Sequence, residues 1–159
     1  MNEQALQAIV DKIVSQMKPP QDISLDMALL LAEKVKAKAT KMGVKAVVAI
    51  SSRAGHPVLV ECMDDSYIAS YDVAVQKAFT VVALKMSTST LKPLAQPGGS
   101  LYGIQFTNGG KIVIFGGGEP LKNAEGEIIG GIGVSGGSEA QDSALAAYGK
   151  EIFEKGQYL

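Results

Sequence analysis

Ala46-Val47-Val48-Ala49-Ile50-Ser51, Ser52-Arg53-Ala54-Gly55-His56-Pro57 and Val58-Leu59-Val60-Glu61-Cys62-Met63 follow one another without a break. The outer blocks are rich in residues that suit strands, and the middle block carries Gly and Pro, so the stretch predicts a β-hairpin. Strands joined this closely are antiparallel, because a parallel pair needs a crossover of a dozen or more residues.

Working outward, the same logic repeats downstream. Ile104–Thr107 and Ile112–Phe115 flank Asn108-Gly109-Gly110, a tight-turn signal that predicts a second hairpin. A further strand is expected over Glu127–Val134, after turn residues at Asn123-Ala124-Glu125-Gly126. Ser135-Gly136-Gly137 then leads to a final helix, with Ser138 and Gln141 spaced as a capping box and Glu139 and Asp142 placed to complement its dipole. Between the hairpins, apolar spacing predicts helices over Ala69–Met86 and Ser87–Ala95. Upstream, Ser24 is placed to cap a helix from Leu25 to Met42 that Gly43 ends. The expected fold is therefore α+β: one domain with an antiparallel sheet of about five strands and helices packed on it.

The first 17 residues stand apart. Leu6, Ile9, Val10, Ile13, Val14 and Met17 recur at helical spacing, and Pro19-Pro20 follow, so a short amphipathic helix (1–17) and a linker (18–23) are expected ahead of the domain (24–159). A helix this short is marginal alone, so its apolar stripe calls for a partner surface.

Composition narrows the function. The 159 residues carry a formal net charge of −1, which leaves no basic footprint for nucleic acid or an anionic membrane. No apolar run approaches the ~20 residues that span a bilayer. The N-terminus lacks the pattern of a signal peptide. The single cysteine, Cys62, excludes an intrachain disulfide and fits a reducing compartment. A cytoplasmic protein is expected.

Asp72-Val73-Ala74-Val75-Gln76-Lys77-Ala78-Phe79-Thr80, Gln96-Pro97-Gly98-Gly99, Tyr102-Gly103, Thr107-Asn108-Gly109-Gly110, Phe115-Gly116-Gly117-Gly118-Glu119-Pro120 and Gly130-Gly131-Ile132-Gly133-Val134-Ser135-Gly136-Gly137 occur in that order, with Gln141-Asp142 closing the series. Together they resemble the GlcG/HbpS family, which includes the C-terminal domain of PduO-type cobalamin adenosyltransferases. The resemblance covers roughly residues 24–155. It implies a profilin- or PAS-like sheet, assembly into homo-oligomers, and haem or cobalamin as the associated cofactor. The adenosyltransferase catalytic domain has no counterpart here, so the resemblance implies no such activity. Residues 1–17 resemble the encapsulation peptides of bacterial microcompartment cargo, which implies a shell protein as partner and a location inside a microcompartment. The other reading of that helix is packing on its own oligomer.

Few residues carry chemistry. His56, the single histidine, lies on the first hairpin turn. It reads as an axial haem ligand, and hence the metal ligand, or as an ordinary exposed turn residue. Lys77 is placed to pair with a carboxylate of the chain or with an acid group of a ligand. Gly116, Gly117 and Gly118, and Ser135, Gly136 and Gly137 before the last helix, either present backbone amides to an anion or serve as tight turns and close-packing points. Cys62 reads as a small buried hydrophobe rather than a thiolate ligand. Asp64-Asp65 follows the second strand, but no spacing fixes a pair of acids around a common site, and no Walker sequence or Cys-x-x-Cys pair is present. The leading expectation is a non-enzymatic tetrapyrrole-binding accessory protein. The alternatives are a small enzyme or accessory acting on a short hydroxy-acid or aldehyde, and an oligomeric scaffold.

Overall fold

Alternation along the central strands builds the molecule in three layers. A computed structural model describes residues 3–17 and 19–159. Met1, Asn2 and Lys18, which the sequence reading assigns to the leading helix and linker, lie outside the described residues. In chain order the elements are α1 (Glu3–Gln16), α2 (Leu25–Lys41), β1 (Val47–Ser52), β2 (Pro57–Cys62), α3 (Ile68–Ala83), α4 (Thr88–Leu94), β3 (Gly118–Lys122), β4 (Ile128–Ser135) and α5 (Glu139–Glu154).

The four strands form one antiparallel sheet in the order β2-β1-β4-β3. On β1, Val48 and Ile50 join Leu31, Val35, Leu145 and Ile152 in the core under α2 and α5, while Val47 and Ala49 turn to Ala74 and Ala78 of α3. On β4, Ile132 and Val134 face α2 and α5. Gly131 and Gly133 face α3, where a Cβ on Gly133 would lie 2.1 Å from the Ala74 carbonyl oxygen. Absent side chains at these positions let α3 rest directly on the sheet.

Local signals are met at α2 and α5. Ser24 accepts the Met27 N–H, and Gly43 takes φ +69 after α2. Ser138 and Gln141 close the capping box of α5. The strand count differs from the expected five. Ile104–Phe106, in the expected first arm, is a 3-10 turn, Asn108–Gly110 between the expected arms is another, and Ile112 and Val113 of the second arm are buried in an irregular run. The Val113 N–H donates to Thr80 Oγ1, which anchors this run on α3 instead of in the sheet. The glycine-rich run expected to be a loop supplies β3, with Pro120 tolerated because β3 is an edge strand.

No side chain of α1 is buried. From Pro20 the chain is attached to the domain: the Pro20 carbonyl accepts from Asn123, and the Ile23 N–H donates to the Ile129 carbonyl at 3.0 Å. Among the described residues no helix is long and apolar enough to cross a membrane.

Candidate functional site

Where β4 ends, the N-termini of α3 and α5 converge with the loop that precedes β3. They enclose a cleft of about 330 Å³ lined by Tyr67, Ser70, Val73, Phe115, Ser135 and Asp142, among others. Ser135 is opposite Val47 in the sheet and its hydroxyl donates to that of Ser70 at 3.0 Å. Tyr67, 73% exposed, lines the cleft together with Phe115.

Lys77 lies beneath this cleft, with no exposed surface. Its ammonium donates to the Val134 carbonyl at 2.8 Å and to Asp142 Oδ2 at 3.2 Å, and sits 5.1 Å from the centre of the Phe115 ring. Burial pushes its pKa below the ordinary lysine value, and the Asp142 charge and hydrogen bond oppose that shift. The other oxygen of Asp142 accepts the Gly137 N–H at 2.8 Å. Of the two readings of Lys77, the structure realises the pairing with a carboxylate of the chain.

The glycine runs meet this ion pair. A Cβ on Gly117, which has φ +113, would lie 2.5 Å from the Lys77 ammonium and 2.8 Å from the Val134 oxygen. Only glycine lets the backbone cross there. The Gly116 N–H donates to Glu139 Oε1 and the Gly118 N–H to Thr88 Oγ1, each at 2.9 Å. Glu139 also takes an ion pair from Lys92 at 2.6 Å. Lys92 first, then the Gly116 amide, hold the Glu139 carboxyl below its ordinary pKa. Amides at Gly116, Gly118 and Gly137 are thus already occupied by acceptors from the chain itself.

The sequence-derived residues divide into two places. Lys77, Gly116, Gly117, Ser135, Gly136 and Gly137 gather at the cleft or directly under it, with Gly118 just behind at the α4 contact. His56 does not join them. Its carbonyl accepts the Ser52 N–H at the far end of β1, five residues from Val47, or roughly 16 Å along the strand. It is exposed on the turn. Cys62 is exposed rather than buried, because β2 is an edge strand and its last residue has no neighbour beyond it. Tyr67 and Ser70 were not singled out from sequence, since nothing in their spacing marks a cleft. In the sequence Asp142 reads as a dipole partner and as part of the closing Gln141-Asp142 motif, and its link to Lys77 spans 65 residues. Among the described residues no cluster of three His, Cys, Asp or Glu side chains is placed to hold a metal ion.

An antiparallel sheet with α2 and α5 on one face and α3 on the other, carrying a cleft at the end of β4, defines a small α+β domain built around a glycine-rich strand-to-helix junction. The family model described as "Haem degrading protein HbpS-like" matches residues 23–151, and the chain belongs to that family. It is 40% identical over 133 residues to an uncharacterized 15.0 kDa protein in the dhaT-dhaS intergenic region of Citrobacter freundii, covering 84% of this chain and 93% of that protein. It is also 40% identical over 109 residues to the corrinoid adenosyltransferase PduO of Salmonella typhimurium, covering 69% of this chain and 32% of that longer protein. Among solved structures, a PduOC:heme complex superposes with a TM-score of 0.78 at 35% identity, covering 82% of this chain and 94% of that one.

Proposed function

We propose that this chain is a non-enzymatic binding module for a tetrapyrrole, haem or cobalamin, working as a homo-oligomer in a microcompartment. One observation carries the reading: the cleft has aromatic walls, yet each charged group lining or flooring it is already partnered inside the chain. With Lys77, Asp142 and Glu139 so engaged, the cleft offers contact surface and hydroxyl groups but no free nucleophile or general base. That favours binding over the alternative of a small hydroxy-acid or aldehyde enzyme built on Lys77.

The cleft lies at the lower end of the 300–1,000 Å³ range of small-molecule sites, so it fits the edge of a macrocycle. Phe115 and Tyr67 would flank the ring, and Ser70 and Ser135 offer hydroxyl partners. The group would supply a metal centre that takes an axial protein donor. The Tyr67 phenol is an accessible donor at the cleft, and the His56 imidazole is an accessible donor on the β1–β2 turn. The haem complex of the 35%-identical PduOC supports the ligand class. The exposed stripe on α1 supports a docking role toward a shell protein.

Titration of the full chain with haemin and with cobalamins, followed by absorbance, tests the proposal. A saturable shift of the Soret or corrin band is expected. Loss of that shift in Tyr67→Phe assigns the metal to the cleft, and loss in His56→Ala assigns it to the turn. An unchanged free-ligand spectrum with wild type overturns the binding reading.

A further inference from the structure

The two edges of the sheet are built differently. β3 carries Pro120 mid-strand with Glu119 and Lys122 beside it, and α4 covers its start through the Thr88 hydroxyl. Pro, charge and a covering element are the devices by which proteins blunt an edge. β2 has Pro57 at its first position and a bulge at Val58, both beside the hairpin turn, but from Leu59 to Cys62 it pairs with β1 without interruption, and its single charge, Glu61, is turned aside to Lys36 of α2 at 2.8 Å.

The exposed groups of β2 follow from its register. The Met63 N–H donates to the Ala46 carbonyl, and orientation alternates along an antiparallel strand. Leu59 and Glu61 therefore direct their backbone groups at β1, while Val60 and Cys62 direct theirs outward; the register shift opposite Ile50 and Ser51 takes Val58 out of this alternation. Beside this edge runs a cavity of about 950 Å³, walled by Glu33, Lys36, Ala37 and Thr40 at helical spacing on α2.

We infer that β2 pairs antiparallel with β2 of a second copy, across a two-fold axis that passes beside Val60. Backbone orientation at Val60 allows this register: Val60 opposes itself and Leu59 opposes Glu61, with the bulge at Val58 ending the regular pairing. No like charges meet, so the strand is its own complement, as a two-fold interface requires. The α2 helices of both copies then lie on the same face of one continuous sheet and wall in each other's cavity. The inference rests on the self-association proposed above and names its surface.

Native mass of the unliganded full chain, compared between wild type and Val60→Pro, reads the pairing, because Val60 directs its N–H outward and Pro is tolerated on an edge. Wild type is expected as a dimer or a multiple of two, and Val60→Pro at half that mass. A second variant, Val60→Cys with Cys62→Ser, places two thiols across the axis, where Cα atoms about 5.5 Å apart permit a disulfide. Oxidation is expected to convert it to covalent dimer, and this result decides the matter if Val60→Pro fails to fold. A monomeric wild type overturns both self-association and the β2 surface. A folded Val60→Pro of unchanged mass, with no covalent dimer from the cysteine variant, overturns the β2 surface alone.

Discussion

At the scale of single residues, the Lys77–Asp142 pair decides how the cleft is held together. Removing one member of a buried pair strands the other charge, which typically costs 3–5 kcal/mol, whereas replacing both with apolar groups of similar volume is often close to neutral. Lys77→Met is therefore expected to lower the unfolding free energy by about 3–5 kcal/mol, and the double variant Lys77→Met, Asp142→Leu to recover most of it. Denaturant titration of the double-mutant cycle checks this; additive losses would mean the pair is not coupled. The pair also carries a pH signature. Because burial lowers the folded pKa of Lys77 below the 10.5 of the unfolded chain, the unfolded state holds this proton more tightly. The associated cost is in full force below the folded value and is relieved as pH rises from there to about 10.5. Wild type is expected to gain stability relative to the double variant across that window, measured by denaturation at stepped pH. Sequence reading reached Lys77, the glycines around it and the helix that bears Asp142. It did not reach the pair itself, since a contact between α3 and α5 leaves no periodic trace in either segment.

Elements were legible where local chemistry was sufficient. The β1–β2 hairpin, both capped helices and β4 follow from alternation, cap residues and turn glycines acting within a few positions. The middle third was misread for a physical reason. Asn108-Gly109-Gly110 supports a tight turn, but its downstream flank is held by α3, where Thr80 bonds Lys111 and Val113, rather than by a paired upstream strand. The chain then uses Gly118–Lys122 as the strand, because Gly118 and Pro120 are tolerated at an edge. At the centre of the sheet the requirement is stricter. Gly133 lies between Ile132 and Val134 on β4, and a methyl group there would collide with the α3 backbone at Ala74 and Ala78. Backbone cannot move aside as a flexible side chain can. Gly133→Ala is expected to destabilise by at least the 1–3 kcal/mol typical of overpacking. Gly126→Ala adds a methyl that meets nothing, so only its φ of +82 opposes it and the loss should be smaller. Thermal melts of the two variants make the comparison; equal losses would show that α3 does not rest on the sheet as described.

For the whole molecule, the question is whether the domain needs its leading helix. Six apolar side chains of residues 6–17 are exposed, from Val10 at 43% to Met17 at 68%. Only the end of the segment approaches the domain, where Val14 and Met17 border an apolar groove with Met27, Phe153 and Tyr158. The domain's own attachments begin later, at Pro20, Asp22 and Ile23, with Asp22 Oδ1 accepting the Arg53 N–H at 2.9 Å. Cutting after Met17 thus removes no buried side chain among the described residues. Changes confined to such surface usually stay within about 0.5 kcal/mol, and the truncated chain is expected to match wild type to that margin in denaturant. Its solubility should rise, since an exposed apolar stripe favours association. Residues 3–16 carry Glu3, Asp11 and Lys12, so α1 has little net charge and its docking should rest on apolar burial. Co-purification with microcompartment shells should then survive high salt, vanish in the truncated chain, and weaken sharply in Ile13→Lys, which puts a charge in the middle of the stripe. A truncated chain that loses several kcal/mol or precipitates would instead show that α1 covers the core of its own assembly, and the targeting role would fall with it.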